Sequence, residues 1–361
     1  MRASNRCGLC YSTGMTPTSA PFHQFDDTTQ RPAQAFWLRS DDDIRLRAAL
    51  WRATDAAGTV LLFPGRTEYV EKYGPFAARL TDAGLNVLTI DWRGQGLADR
   101  LQDRHRLGHI DEFAQYQLDV LAMVEAATAL DLPEPWHLLA HSMGGAIGLA
   151  ALENGLPVST ATFSAPMWGI NHAPIPQGFA LGLSGVAGRL GRGGRAAFGT
   201  GGEGTYVLDE PFRDNMLTGD ADSWARLLRE AAAWPELTLG GASFRWVGEA
   251  LRECRRLATL PAPDLPALIT LGSREMIVSA PAIRKRAAEW PDARLLELPD
   301  GHHEVMMERP ELQDRFLLAF LELVYGDSAE PESPAAPIKS HDTATDPELV
   351  DAEAQAMDSG A

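Results

Sequence analysis

Cysteine is scarce in this chain, with 3 among 361 residues, at Cys7, Cys10 and Cys254. So few thiols exclude a disulfide-stapled scaffold and suit a reducing compartment. Cys7 and Cys10 have the spacing of a metal or redox pair, but they sit in an unpatterned arm with no second pair, and no such role is assigned to them. Long apolar runs are missing as well. No stretch approaches the roughly 20 apolar residues of a membrane span, and the N-terminus lacks the apolar segment of a secretory signal. A cytoplasmic protein is expected, with peripheral membrane contact left open. Basic charge is in deficit, 32 Lys and Arg against 49 Asp and Glu, for a net charge of -17. Phosphate backbones bind through basic patches, so nucleic acid is excluded as a partner. Neither a His-Glu-x-x-His motif nor a Cys/His cluster is present, and no metal or cofactor is implied.

What is present is an apolar content of 45%, enough for a substantial core in one large domain or two ordinary ones. Residues 1–33 are polar and read as a flexible arm, within which Met15 is an alternative start. After Tyr325, nine acids face one lysine in a Pro, Ala, Ser and Glu-rich stretch, so residues 326–361 read as an acidic disordered tail. Between them, 34–325, apolar runs alternate with helical patterns. Residues 36–38 and 44–51 read as a hairpin. Thr59–Phe63, Asn86–Ile90, Trp136–Ala140, Thr160–Phe163, Ala267–Leu271 and Arg294–Leu298 read as buried strands. Tyr73–Ala83, Ile110–Leu130, Met143–Asn154, Ala280–Trp290 and Pro310–Val324 read as helices. Such alternation predicts an α/β fold with a mostly parallel central sheet flanked by helices. The rhythm breaks over about 168–256, which holds helical patterns at 221–233 and 243–257 and glycine-rich 188–204; this stretch reads as an inserted cap. Its glycines match no phosphate-binding pattern.

The chemistry collects at strand ends. Trp136–Ala140 leads through His141 into Ser142-Met143-Gly144-Gly145 and then a helical run, the layout of a nucleophile elbow in which a tight turn lifts a serine hydroxyl above the sheet. Ala140 stands where the G-x-S-x-G pattern has its first glycine. A serine needs a histidine base oriented by a carboxylate. Glu275 follows the strand 267–271, and His302 and His303 follow the strand 294–298, so both loops open on the same edge as Ser142. Asp264 precedes its strand and Asp300 sits too near the histidines to orient them, which leaves Glu275 as the acid. Either histidine serves as base on this ground alone. Two backbone N–H donors must face the oxyanion: Met143, and Arg66 in the loop Pro64-Gly65-Arg66-Thr67.

At these residues the chain resembles the serine hydrolases of the monoacylglycerol lipase and lysophospholipase group within the α/β-hydrolase superfamily, over roughly residues 36–324. Four blocks carry the resemblance: 63–73, Phe-Pro-Gly-Arg-Thr-Glu-Tyr-Val-Glu-Lys-Tyr; 91–96, Asp-Trp-Arg-Gly-Gln-Gly; 140–145, Ala-His-Ser-Met-Gly-Gly; and 301–304, Gly-His-His-Glu. The resemblance implies Ser142 as nucleophile, His303 rather than His302 as base, Glu275 at the place of the usual aspartate, and Arg66 and Met143 as oxyanion donors. It also implies supporting roles for Glu68, Asp91 and Arg93, and a cap that binds an acyl chain. Pro64 in place of histidine, Ala140 in place of glycine and Glu275 in place of aspartate are its departures. The expected activity is hydrolysis of a monoacyl lipid ester, a lysophospholipid or a monoacylglycerol. The alternatives are a short-chain carboxylesterase or a catalytically silent binding protein of the same fold.

Overall fold

The computed structural model describes residues 18–25, 33–102, 106–171 and 177–326. Cys7, Cys10, Met15 and the acidic tail after Gly326 lie outside them. In chain order the elements are β1 (Gln34–Arg39), β2 (Arg45–Trp51), β3 (Gly58–Phe63), α1 (Gly74–Asp82), β4 (Leu85–Asp91), α2 (Tyr116–Ala129), β5 (Trp136–His141), α3 (Met143–Glu153) and β6 (Thr160–Ser164). There follow α4 (Gln177–Arg189), α5 (Tyr206–Asp209), α6 (Ala221–Ala233), α7 (Phe244–Leu257), β7 (Ala267–Gly272), α8 (Ala280–Ala288), β8 (Ala293–Leu298) and α9 (Pro310–Tyr325).

The strands form one sheet in the order β1-β2-β4-β3-β5-β6-β7-β8. β2 pairs antiparallel with both β1 and β4, and every other pair is parallel. Strands β3 to β7 are buried on both faces, which explains their apolar runs; β8, expected as buried, is instead an edge strand whose Arg294 and Glu297 form surface ion pairs. Alternation divides the side chains: Leu61 and Phe63 join a core with α2, α3 and α8, while Val60 and Leu62 join the opposite core with α1 and α9. Ile147 and Ile283 anchor the first side, Phe76, Phe316 and Phe320 the second. Among the described residues no helix is long and apolar enough to cross a membrane.

Two helices depart from the sequence expectation. The pattern at Ile110–Leu130 yields α2 only from Tyr116, because Glu112 is extended (φ -140°) and forms a reciprocal capping box with Gln115. The segment around Leu181 and Leu183, in the stretch read as a cap but outside its two helical patterns, forms α4. Four glycines hide it, each costing about 1 kcal/mol relative to alanine in a helix. Tertiary contact offsets this: Ser184 Oγ donates to Phe244 O at 2.7 Å, tying α4 to α7, and Ala187 is buried.

A buried arginine fixes how β2 meets the rest of the sheet. Arg47 in β2 is fully buried, and its Nε donates to Asp91 Oδ2 at 2.7 Å. Its Nη1 and Nη2 donate to Glu71 Oε1 and Oε2 at 2.6 and 2.7 Å. One guanidinium thus joins β2, the end of β4 and the turn entering α1. Arg47→Ala leaves two buried carboxylates without their cation, and the expected loss of unfolding free energy in urea is about 3–5 kcal/mol. A loss below about 1 kcal/mol would contradict this role for the pair.

Candidate active site

β3, β5, β7 and β8 run parallel, so the loops that follow them open on one edge of the sheet. Those loops carry Arg66, Ser142, Glu275 and His303. Ser142 stands between β5 and α3 with φ 49° and ψ -116°, a backbone region that non-glycine residues rarely occupy. The turn is held by Ser142 N donating to Ser164 O at 3.0 Å and by Gly145 N and Met167 N donating to Ser142 O at 2.9 and 2.8 Å. Gly144 is required there, since a Cβ at that position would lie 2.2 Å from Phe63 O. The Ala140 methyl is tolerated because α3 offers Gly148 opposite it; a Cβ built on Gly148 would lie 3.3 Å from Ala140 Cβ.

Ser142 Oγ lies 2.9 Å from His303 Nε2, and His303 Nδ1 lies 2.7 Å from Glu275 Oε2. An ionised carboxylate only accepts, so Nδ1 carries the proton and Nε2 accepts from the serine hydroxyl. Glu275 Oε1 accepts from the backbone N–H groups of Ile277 and Val278 at 2.6 and 2.9 Å. Burial alone would raise the Glu275 pKa, but the His303 charge and these hydrogen bonds outweigh it and hold the carboxyl below its ordinary value. The backbone N–H groups of Arg66 and Met143 donate to no protein acceptor among the described residues.

The rival residues sit elsewhere. His302 Nδ1 lies 2.8 Å from Glu308 Oε1 and plays no part in the chain of bonds at Ser142. Asp300 is exposed and pairs with Arg274 at 2.8 Å, and Asp264 precedes β7 at the opposite end of the strand. Asp91, Arg93 and Glu68 brace loops: Asp91 accepts from Val70 N and Leu97 N, Arg93 pairs with Asp119 and Asp42, and Glu68 accepts from Gly65 N and Tyr73 OH.

Sequence reasoning missed a buried charge cluster behind His303. Lys72 Nζ donates to Glu304 Oε1 at 2.7 Å and to Glu68 Oε1. His141 Nε2 lies 3.1 Å from Glu304 Oε2, its Nδ1 lies 3.0 Å from Ser164 O, and its ring is 4.8 Å from that of His303. Its Nδ1 and Nε2 both face oxygens that only accept, an arrangement that favours the protonated ring. Burial alone would lower its pKa; Glu304 and Glu68 outweigh that and raise it. Glu68, His141 and Glu304 bring ligand atoms within 4.8 Å of one another, as a metal site would, but Lys72 already supplies a cation to both carboxylates. The i, i+4 spacing of Glu68 and Lys72 was the one local signal; Glu304 joins from 232 residues away.

Comparison with known proteins decides the family. The Hydrolase_4 family, described as serine aminopeptidase S33, matches residues 54–310. The chain belongs to this family. Within it, the chain is 33% identical to the probable lysophospholipase L2 of Haemophilus influenzae over 262 residues, covering 72% of this chain and 80% of the relative. It is 30% identical to the lysophospholipase L2 of Escherichia coli K12 over 330 residues, covering 81% and 90%. Among solved structures, a soluble variant of the monoglyceride lipase of Saccharomyces cerevisiae, in complex with a substrate analog, superposes with a TM-score of 0.63 at 19% identity, covering 83% of this chain and 99% of that one. The monoacylglycerol lipase of Paleococcus ferrophilus gives 0.61 at 21%, covering 77% and 97%. The fold of this Hydrolase_4 member is the α/β-hydrolase fold.

The raised pKa of His141 has a consequence for stability. A folded pKa above the unfolded value of 6.5 stabilises fully below that pH, and the contribution is lost as pH rises through the folded pKa. The Tm of the native protein is expected to fall as pH rises from 6.5 through the folded pKa, and His141→Gln to flatten this fall. An unchanged slope in the variant would contradict the imidazolium assignment.

Proposed function

We propose that this chain is a serine ester hydrolase that releases a fatty acid from a monoacyl lipid, a lysophospholipid or a monoacylglycerol. The observation that carries the reading is the continuous hydrogen-bonded path from Ser142 Oγ through His303 to Glu275 at the carboxyl edge. His303 Nε2 takes the Ser142 proton as Oγ attacks the ester carbonyl. The N–H groups of Arg66 and Met143 receive the developing oxyanion, each contributing on the order of 3 kcal/mol. Glu275 stays ionised and stabilises the imidazolium. His303 then protonates the departing alcohol, and the acyl-enzyme is cleaved by a water that gives its proton to the same nitrogen. These steps call on no cofactor.

The lysophospholipase relatives and monoglyceride lipase neighbours support the lipid class, as does the surface. Large exposed apolar side chains gather in the insertion: Val186, Leu190, Phe198, Leu208, Phe212 and Met216. Met216 O also accepts from His303 N at 3.4 Å, so this insertion borders the reacting residues. On this reading, 34–325 is the catalytic domain, 168–256 is its acyl-binding cap and 326–361 lies outside it; of the N-terminal arm 1–33, residues 18–20 are not free but pair with β1, Ala20 N donating to Ala35 O at 3.0 Å and Trp37 N to Thr18 O at 2.8 Å. A cytoplasmic location with peripheral membrane contact through the cap belongs to the same proposal.

Fatty acid release measured by mass spectrometry, from a lysophospholipid and a monoacylglycerol side by side, tests it. Ser142→Ala is expected to lower the rate on the order of a millionfold, and Glu275→Gln roughly 10⁴-fold. Cleavage of short esters alone would favour a short-chain carboxylesterase, and cleavage of aminoacyl peptides alone would favour the peptidase of the family description. Inertness of the folded native protein toward all of these esters and peptides would point to a silent binding protein.

A further inference from the structure

Arg47, Arg93 and Lys72 are each buried at this edge of the sheet, and each is matched by two carboxylates. Arg66 is matched by none among the described residues. Its guanidinium lies 4.9 Å over the Trp246 ring, which fixes its plane, and Nη2 donates to Gly240 O at 2.8 Å. Among the described residues its buried Nε and its Nη1 have no acceptor. Burial pushes the Arg66 pKa down to about 10, which still leaves the group charged at neutral pH. A second arginine borders the same segment: Gly240 N donates to the backbone oxygen of Arg106 at 2.6 Å, and Arg106 Nη2 donates to the hydroxyls of Thr205 and of Thr238, two residues before Gly240. The buried Nε of Arg106 has no acceptor among the described residues. A buried donor without an acceptor is costly. In a chain of net charge -17 carboxylates are plentiful, yet among the described residues none pairs with either guanidinium.

The position of Arg66 supplies the geometry. Its backbone N–H is the proposed oxyanion donor, so its side chain starts at the scissile ester. The guanidinium carbon of an arginine is separated from its own backbone nitrogen by as many atoms as separate the ester carbon of a 1-acyl glycerophospholipid from its phosphorus. An ester held at the backbone therefore brings a phosphate within reach of the side chain. Resting on the ester-hydrolase reading and narrowing it, we propose that the Arg66 guanidinium, with Arg106 beside it, is a headgroup subsite for the phosphate of a lysophospholipid. The enzyme then selects lysophospholipids over monoacylglycerols, because only the former completes the hydrogen bonding of this site. A guanidinium fork suits phosphate oxygens better than an ammonium does.

The test compares kcat/KM for lysophosphatidylcholine, for a monoacylglycerol of the same acyl chain and for a p-nitrophenyl ester of that acid. The native enzyme is expected to prefer the lysophospholipid. R66Q is expected to lower the ratio of lysophospholipid to monoacylglycerol by at least about tenfold, the equivalent of one charged hydrogen bond, whatever happens to the absolute rates. Free sn-glycerol 3-phosphate is expected to inhibit the native enzyme competitively and R66Q much less. Should R66Q fail to fold by circular dichroism, R106Q is read in the same way. An unchanged ratio, or a native preference for monoacylglycerol, overturns the headgroup subsite while leaving the hydrolase reading intact. Loss of glycerol phosphate inhibition with an unchanged ratio assigns the site to a free phosphate and also overturns it. No cleavage of any of the three esters overturns the hydrolase reading and this inference together.

Discussion

Between β5 and α3 the chain reverses within one residue, and Ser142 takes up the conformation that this demands. A non-glycine residue in such a region stores on the order of 1–3 kcal/mol, which the surroundings must hold in place. Three backbone hydrogen bonds to Ser142 and its neighbours do so, and the N-terminus of α3 is pressed so closely on the end of β3 that position 144 has room for no side chain. That closeness sets the distance between the serine and the loop carrying Arg66. The remaining active-site residues depend on this turn, because His303 can reach Ser142 Oγ only where the elbow projects it above the strand ends.

Behind the elbow, charge substitutes for packing. Glu68 accepts from Gly65 N in the loop after β3, Lys72 ties Glu68 to Glu304, and Glu304 lies beside His141, the residue preceding Ser142. The loops after β3, β5 and β8 are thereby joined through one buried network. Removing any member leaves another charge without compensation in a low-dielectric interior, which is why such clusters are rigid when complete and fragile when broken. Arg66 lies outside this network although it shares a loop with Glu68, and that exclusion makes its guanidinium available to a ligand.

Much of the site was legible in the sequence because its parts are local. Ser142, Glu275 and His303 each lie in a short loop after a strand rich in apolar residues, and parallel strands carry such loops to one edge. The choice between His302 and His303 was not local; it followed from the family resemblance, and Glu308, six residues on, holds His302 away from the serine. The Ala140 departure became intelligible only with Gly148 in view, one helical face away. α4 escaped notice because its glycines contradict helix propensity and its support comes from α7, some 60 residues later. The Lys72–Glu304 pair spans 232 residues, and no pattern within a window of sequence could reveal it.

The central claim is that Ser142 is a nucleophile activated by His303. Labelling the intact protein with an alkyl phosphonate probe and mapping the adduct by mass spectrometry tests this without any assumption about the substrate. The account predicts one adduct, on the peptide containing Ser142, and its loss in a folded His303→Ala variant. An adduct on a different serine, or no adduct on the folded native protein, would contradict it.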